Sequence, residues 1–318
     1  MAQIIEVGTQ LHISTDRFTA TIASQGYTSG VLGGSFIDRA TGARDLGHGL
    51  DIADFLLQPT AAGPQARTQD LEHPYEFGDL AHGNIAKRYV ELPQICTQAG
   101  TLPYDLFRGD GFVAVRQWYR WTVATAGFTA GSLWEQILVF PDGQRYFFSC
   151  DRITSANDAE SLIFRLDLPG HLKHTDGAEF SEIYLSYEGR IPSSDFLQDF
   201  APDASHFYRR DDSSLPERMI RAYRLCPDAG AGLWLGGLTL DPGDVYEAWC
   251  HQRGYVCFIQ ELGGRPIRAG QRFGAAHVIG FFEDIDEMQD VFDRYRGHRG
   301  LEVTGDPHEA SWRWRDEP

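Results

Sequence analysis

Hydrophobic and polar residues alternate along most of this chain, and turn residues separate the alternating stretches. Successive side chains of a β-strand point to opposite faces, so this period of two predicts strands that are buried on one side. The predicted strands are residues 10–13, 18–22, 85–91, 112–124, 134–140, 145–153, 162–168, 182–187, 218–225, 232–240, 245–252, 255–261 and 274–281. Residues 51–57 predict a short helix or a strand, and residues 60–69 predict a loop.

One helix is predicted near the C-terminus. Asp284 can cap it, Glu287 stands three residues later as in a capping box, and Gly297 marks its end. Its apolar face, expected to pack on a sheet edge, is Ile285, Met288, Phe292 and Tyr295. No repeat or linker divides the chain. We therefore predict one all-β domain over residues 1–300, a large antiparallel β-sandwich with this short helix, and a C-terminal tail at residues 301–318.

Composition narrows the range of partners. Hydrophobic residues make up 42% of the chain and aromatic residues 13%, which is enough for an extended core. The net charge of −17 repels nucleic acid and anionic membranes, so neither is expected as a partner. No apolar stretch approaches the roughly 20 residues that a membrane helix needs. The chain as given predicts a cytoplasmic location, although a signal peptide removed beforehand would leave the same picture.

The five cysteines are an odd number and form no CxxC motif, which argues against a zinc knuckle or a disulfide framework. Buried thiols are the main prediction. If Arg253 and Gly254 formed a two-residue turn, Cys250 and Cys257 would face each other across a hairpin and a disulfide could join them.

The strand at residues 112–122 carries the most informative pattern. Alternation places Arg116, Trp118 and Arg120 on one face, and the other face is typical of a core. An indole flanked by two guanidinium groups suits a flat sugar ring that carries a carboxylate, so these residues are predicted to bind substrate. The alternative is an exposed sheet face whose arginines pair with carboxylates on neighbouring strands.

A second cluster combines histidines and cations at the mouth of a predicted strand. Its members are His73, His82, Lys87, Arg88 and Tyr89. Proton abstraction next to a carboxylate needs a cation that neutralises the acid and a base that takes the proton. Arg88 with His82 or Tyr89 would suffice, although a loop histidine can equally be a surface or structural residue.

A third set lies on one face of the predicted strand at residues 245–252 and its turn. Trp249 would contact substrate, His251 is a further candidate base, and Arg253 could neutralise a carboxylate. If this strand neighboured the Arg116 strand, the two sets would form one pocket. The alternative is a cross-strand Trp and His beside a solvated arginine.

Metal chemistry is indicated only by His171 and His174, which form an HxxH pair. The pair lies in a predicted loop, where two imidazoles do not converge as they would one turn apart on a helix, and no third ligand has a diagnostic spacing. The sequence therefore predicts no cofactor and leaves a structural or catalytic divalent metal, calcium included, as an open alternative. The serine-hydrolase, P-loop and zincin motifs are all absent.

The length, the many successive strands, the loop histidine at residues 82–84 and the aromatic, arginine-rich strand at residues 118–121 resemble the β-sandwich of the galactose-mutarotase type. This family includes sugar epimerases and domains of polysaccharide lyases. The resemblance covers about residues 10–282 and implies a supersandwich fold and action on a sugar. For the paired catalytic His and Glu of mutarotases, it leaves as candidates His82, His171 and Glu261.

These observations lead to three hypotheses of different classes. The first is an enzyme of polysaccharide or oligosaccharide degradation or sugar isomerisation, a lyase or an epimerase that abstracts a proton from a uronate-containing sugar. The second is a non-catalytic carbohydrate-binding protein that uses the same aromatic face. The third is a structural, homo-oligomer-forming sandwich in which another subunit covers that face.

Overall fold

The computed structural model describes residues 1–59, 87–174, 179–198, 200, 205–226, 232–252 and 255–318, and consists mainly of antiparallel strands, as predicted. The strands are β1 (Gln3–Val7), β2 (Gln10–Ser14), β3 (Phe18–Ala23), β4 (Val31–Leu32), β5 (Ile37–Asp38), β6 (Gly47–Pro59), β7 (Lys87–Leu92), β8 (Tyr104–Gly109), β9 (Phe112–Arg120), β10 (Val123–Ala124), β11 (Leu133–Pro141), β12 (Tyr146–Thr154), β13 (Ala159–Lys173), β14 (Phe180–Leu185), β15 (Gly189–Pro192), β16 (Phe207–Arg209), β17 (Met219–Leu225), β18 (Trp234–Thr239), β19 (Val245–Gln252), β20 (Tyr255–Ile267), β21 (Arg272–Phe282), β22 (Gly300–Thr304) and β23 (Ser311–Arg315). The helices are α1 (Ile95–Gln98) and α2 (Ile285–Tyr295), with 3₁₀ turns at Ser193–Phe196 and Pro242–Asp244.

Two large sheets dominate the described residues. The eight-stranded sheet has the order β10-β7-β6-β13-β20-β19-β16, with β4 also paired to β6. The nine-stranded sheet has the order β15-β14-β17-β18-β21-β12-β11-β9-β8. A four-stranded sheet, β1-β2-β3-β5, and the hairpin β22-β23 complete the set. The predicted all-β sandwich is therefore confirmed, with four sheets rather than two.

The main core contains alternate residues from strands of both large sheets. On β13 these are Phe164 and Leu166, whereas Arg165 and Asp167 point to the opposite, outer face of the eight-stranded sheet. The same alternation on β12 places Phe147 in the main core and Phe148 in a second core beneath α2. The eight-stranded sheet thus has an apolar inner face and an outer face on which charged side chains lie among smaller apolar clusters.

Helix α2 begins and ends where the sequence predicts. The Asp284 carboxylate accepts from the Glu287 backbone N–H at 2.8 Å, and the Glu287 carboxylate accepts from the Glu283 N–H at 2.6 Å. Gly297 follows the helix with φ of 86°, a conformation that favours glycine. The prediction that α2 packs on a sheet edge is wrong: it contacts β17, β18 and β21, in the interior of the nine-stranded sheet, because its apolar stripe covers a sheet face.

One other prediction needs correction. The predicted strand at residues 112–124 is interrupted at Trp121, because the chain leaves the nine-stranded sheet after β9 and joins the eight-stranded sheet at β10. The buried Trp121 side chain fixes this crossing by donating its indole N–H to the Pro93 carbonyl at 3.0 Å. The C-terminal tail is ordered as the β22-β23 hairpin, whose Trp312 packs 5.1 Å from Phe148.

The cysteines are free thiols, and the alternative disulfide does not form. Cys250 pairs with Phe258 in the β19-β20 register, and Cys257 pairs with His251. This register is shifted by one residue from that of a two-residue turn. A one-residue shift moves side chains to opposite faces, so Cys250 lies in the main core and Cys257 on the outer face.

Residues 51–57, which predicted a helix or a strand, belong to β6. The predicted loop at residues 60–69 lies outside the described residues. None of the helices described is long and apolar enough to cross a membrane.

Candidate active site

Arg116, Trp118 and Arg120 share one face of β9, as the alternation predicts. The Arg116 guanidinium donates to Glu135, with the shorter contact at 2.5 Å, and lies 3.4 Å from Asp105. It also stacks 5.1 Å from the Trp118 ring. Two carboxylates therefore already neutralise Arg116, which is the alternative arrangement that the sequence left open.

Arg120 differs from Arg116 because it is exposed and donates to a backbone carbonyl, that of Gly131, at 2.6 Å. A shallow hollow of about 450 Å³ lies beside it. Its lining residues are Thr101, Pro103, Arg116, Trp118, Tyr119, Arg120 and Leu133. This surface offers one guanidinium and one half-buried indole to a ligand.

The third predicted set, which includes Trp249 and His251, does not lie beside the Arg116 strand. Trp249 and His251 are on β19 of the eight-stranded sheet, whereas β9 belongs to the nine-stranded sheet, so the two sets do not form one pocket. Trp249 and Tyr89 are buried, at 0% and 2% exposure, and His251 is also buried. In this conformation, none of the three presents its side chain to solvent.

Of the second predicted cluster, Arg88 donates to Gln58 at 2.9 Å and stacks 4.6 Å from the Phe128 ring. Lys87, in contrast, is fully buried. The candidates that lie outside the described residues are His73, His82 and Arg253.

A ladder of buried charges surrounds Trp249 on the outer face of the eight-stranded sheet. In spatial order, the ladder is Arg209, Glu247, Lys87, Glu261 and Arg165. The contacts that connect it are 2.5, 2.5, 3.0 and 2.7 Å long. Positive and negative groups therefore alternate along its whole length.

The position of Lys87 explains how the ladder holds together. Glu247 and Glu261 are direct cross-strand partners, an arrangement that is destabilising for like charges unless a cation lies between them. Lys87 supplies that cation from β7, although Glu247 lies on β19, four strands away in the sheet order. A flat sheet would separate β7 from β19 by about 19 Å, more than an extended lysine and an extended glutamate span, so the sheet must curl towards this face.

Beside the ladder, Asp167 and His171 form an ion pair. Asp167 Oδ2 lies 2.7 Å from His171 Nε2, although both residues belong to β13, where an extended strand would place them about 13 Å apart. The register of β13 shifts between these two residues, and this bulge brings the side chains together. Cys257 stands opposite His171 on β20.

The bulge requires glycine. A Cβ atom on Gly170, whose φ is 158°, would lie 1.9 Å from the Gly49 carbonyl oxygen. A Cβ atom on Gly47 would lie 1.9 Å from the His171 carbonyl oxygen. The close approach of β6 and β13 that positions His171 therefore depends on these glycines.

Burial and charge set the protonation of this pair. Burial disfavours the His171 imidazolium, but the Asp167 carboxylate outweighs it and, with Cys257, raises the pKa of His171 well above its usual value. Burial and the charge of Asp167 raise the pKa of the neighbouring Asp54 to about 7, although Arg165 opposes this shift. Burial likewise raises the pKa of the Cys257 thiol. The Asp167 carboxylate therefore favours the charged, protonated form of His171.

The pair reaches the surface at a group that we call the histidine mouth, which consists of His48, His171, Lys173 and Tyr255. The side chain of Asp167 is 3% exposed and that of His171 is 17% exposed, whereas His48 and Lys173 are exposed. The Tyr255 ring lies 5.4 Å from the His171 ring and 5.5 Å from the His48 ring.

The two histidines of the mouth differ in charge. Burial, the His171 cation and Lys173 together lower the pKa of His48, so His48 is neutral where His171 is charged. Burial raises the pKa of Tyr255, which keeps its phenol protonated. A neutral imidazole, a phenol, the Asp167-paired His171 and the Lys173 cation therefore lie together on this part of the sheet.

Possible metal ligands occur in two groups among the described residues, and neither is the predicted HxxH pair. His174 stacks 4.2 Å from the Phe180 ring, while His171 pairs with Asp167, so the two imidazoles do not converge. The first group is Asp167, His171 and Cys257, in which the 2.7 Å ion pair joins two of the three to each other. The second group is Asp51, Asp151 and His277.

Comparisons with known proteins give structural neighbours only. No family model and no curated protein matches the sequence. A galactose mutarotase-like protein from Clostridium acetobutylicum is 7% identical with a TM-score of 0.45, over 89% of this chain and 99% of that one. A putative aldose 1-epimerase from Escherichia coli K12 is 10% identical with a TM-score of 0.46, over 89% and 100%. A galactose 1-epimerase from Lactobacillus acidophilus NCFM is 10% identical with a TM-score of 0.42, over 89% and 99%.

These neighbours come from the group that the sequence was found to resemble. Because the identities are 7–10% and the TM-scores are below 0.5, the function has to be argued from the residues of this chain.

Proposed function

We propose that the protein is a carbohydrate-active enzyme that binds an acidic sugar at the histidine mouth and removes the proton from the carbon next to the sugar carboxylate. The observation that carries this proposal is the contrast between two adjacent histidines, with ring centroids 6.4 Å apart, of which one is a cation and the other is neutral. A β-elimination lyase or an epimerase would follow, depending on what happens after the proton is removed.

The chemistry divides among the residues of the mouth. Removing the proton shifts negative charge onto the substrate carboxylate, and His171, held as a cation by Asp167, would stabilise that charge together with Lys173. His48 is the candidate base, because a neutral imidazole can accept the proton. Tyr255 is the candidate acid, which would protonate the leaving oxygen in elimination or the opposite face of the carbon in epimerisation.

Charge also favours an acidic substrate. The whole chain carries −17, so an anionic sugar needs a local positive site; the exposed Lys173 would provide its net charge, since Asp167 offsets the charge of His171. The Tyr255 ring offers a surface on which a sugar ring can stack.

The proposal is tested by incubating the protein in D₂O with a panel of uronate-containing oligosaccharides. Mass spectrometry would detect deuterium incorporated by an epimerase, and ultraviolet absorbance would detect the unsaturated uronate left by a lyase. His48→Gln and Tyr255→Phe should each abolish the product while preserving the fold. Arg116→Ala is the matched control and should leave turnover unchanged, since Arg116 lies on the other large sheet.

Two results would overturn the assignment. Full activity in His48→Gln would remove the base, and loss of activity in Arg116→Ala alone would move the reaction to the β9 surface. Absence of product and of deuterium incorporation across the whole panel would remove the enzymatic proposal.

The second candidate, a non-catalytic carbohydrate-binding protein, is favoured by the hollow beside Trp118 and Arg120. There Arg120 is exposed and donates to a carbonyl, so its charge is available to a sugar carboxylate. Binding that is lost in Trp118→Ala and retained in His48→Gln, without any product, would support this function. Light scattering of the same variants would show whether a second subunit covers the surface instead, as in a homo-oligomer.

A further inference from the structure

A second cluster of buried acids lies between the two large sheets, apart from the histidine mouth. Asp51 is on β6 of the eight-stranded sheet, while Asp151 on β12 and His277 on β21 belong to the nine-stranded sheet. All three side chains are fully buried. One potential ligand atom from each lies within 4.8 Å of the other two.

Hydrogen bonds from other residues occupy only one oxygen of each carboxylate. Asp51 Oδ2 accepts from Ser149 Oγ and, at 3.0 Å, from Gln136 Nε2. Asp151 Oδ1 accepts from Trp134 Nε1 at 2.7 Å and from Gln136 Nε2 at 3.3 Å. No donor from another residue reaches Asp51 Oδ1 or Asp151 Oδ2, although both are buried, and the two carboxyl groups lie within hydrogen-bonding range of each other.

The two ring nitrogens of His277 also differ, because only one of them has a hydrogen-bond partner. Its Nδ1 lies 3.1 Å from Thr239 Oγ1, which also accepts from Gln260 Nε2 at 2.8 Å. Its Nε2 has no hydrogen-bond partner and lies 3.8 Å from Asp151 Oδ2. Histidines that bind metals are held in this way, with one ring nitrogen bonded to an outer group and the other free for the ion.

Two buried carboxylates also require a compensating charge. In the described part of the chain, no lysine or arginine forms an ion pair with either of them. Arg221, a buried cation on β17, instead donates to the backbone carbonyls of Leu168, Trp249, Phe258 and Ile259. An uncompensated buried carboxylate is costly, so the cluster needs a cation or a proton.

We infer that Asp51, Asp151 and His277 bind a divalent first-row transition ion, of the zinc or manganese type. Two carboxylate oxygens and one imidazole nitrogen match the ligands that these ions take in proteins. Ser149, Trp134, Gln136 and Thr239 are the outer groups that orient them. Because the ligands come from both large sheets, the ion would cross-link the sandwich.

The experiment measures metal content and stability together. The chain is purified without chelator, or unfolded and refolded with Zn²⁺ or Mn²⁺, and its metals are quantified by elemental mass spectrometry. The expected result is about one equivalent of a single ion per chain, falling about tenfold or more in His277→Gln and Asp151→Asn. Cys257→Ser is the matched control and should keep its metal, because Cys257 belongs to the other group of possible ligands.

The wild-type chain provides a second measurement if the variants do not fold. After refolding with chelator, its unfolding midpoint should be lower than after refolding with metal. The inference would be overturned if the chain, refolded with either ion, held less than about a tenth of an equivalent of metal and its unfolding midpoints were equal. That result would indicate that the two carboxyl groups share a proton. Loss of metal in Cys257→Ser but not in His277→Gln would overturn it too.

Discussion

Asp167→Asn is the sharpest test of the electrostatics at the histidine mouth. Asparagine keeps the shape of the side chain and removes the charge that lies 2.7 Å from His171 Nε2. An opposite charge at this range raises a histidine pKa by about 1–3 units, which corresponds to about 1.4–4 kcal/mol. The variant should therefore lower the pKa of His171 by that amount, and burial should then leave the imidazole neutral at pH 7.

The pKa can be measured by following the imidazole carbon and proton shifts of His171 by NMR as the pH changes, with the signal assigned by its absence in His171→Gln. In the wild type, His171 should stay protonated at a pH where a free histidine has lost its proton. Glu188→Gln is the matched control, because it removes a carboxylate that pairs with a different histidine, His206, at 2.7 Å and should leave the titration of His171 unchanged.

The same substitution has a kinetic consequence under the proposed function. Asp167→Asn should lower turnover at neutral pH, and turnover should partly recover as falling pH protonates His171 again. A His171 signal that titrates near 6.5 in the wild type and does not move in Asp167→Asn would refute the reasoning, whatever the activity.

Three further predictions concern stability. Glu261→Gln should lower the free energy of unfolding by about 3–5 kcal/mol in a urea titration, because it leaves Lys87 and Arg165 with a buried excess of positive charge. Asp284→Ala should lower the free energy of unfolding by about 1 kcal/mol, because it removes the N-cap of α2. No change would show that Glu287 caps the helix alone. Asp54 has a pKa raised from 3.8 to about 7, so its contribution to stability is complete below about pH 4 and is lost as the pH rises through 7. Asp54→Asn should therefore lose less stability than the wild type between pH 5 and 8, and equal losses would contradict the shift.

The positions of most long strands could be predicted from the sequence, because burial on one face imposes the period of two. Strands β1 and β8 were not predicted, since their burial does not alternate. Pairing between distant strands could not be predicted either, since it depends on contacts far apart in the chain. The interruption at Trp121 is an example: hydrophobic and polar residues alternate without a break on both sides of it, yet the chain passes from one large sheet to the other there. The pairing of β19 with β20 shows the effect of a small error in register. A shift of one residue from the predicted register places Cys250 and Cys257 on opposite faces of the sheet.

The candidate site was predictable only in part. The faces of β9 were correct, but nothing local to Arg116 shows that Glu135 would face it from β11. The sequence indicates His171 but pairs it with His174, whereas its partner in the structure is Asp167, which an extended strand would hold too far away. The Pro169–Gly170 pair between them was the signal of a bulge, since these residues interrupt strands.

The outer face of the eight-stranded sheet carries two groups of charges, the ladder and the Asp167–His171 pair, and different measurements test them. The ladder alternates in sign, and its members other than Arg209 are buried, so removing Glu261 should mainly affect stability. The Asp167–His171 pair ends at the surface, so removing Asp167 should mainly affect protonation. If the two are independent, Glu261→Gln will lower the free energy of unfolding and leave the titration of His171 in place. If His171 shifts as well, the ladder positions the histidine mouth, and the concave face acts as one electrostatic unit.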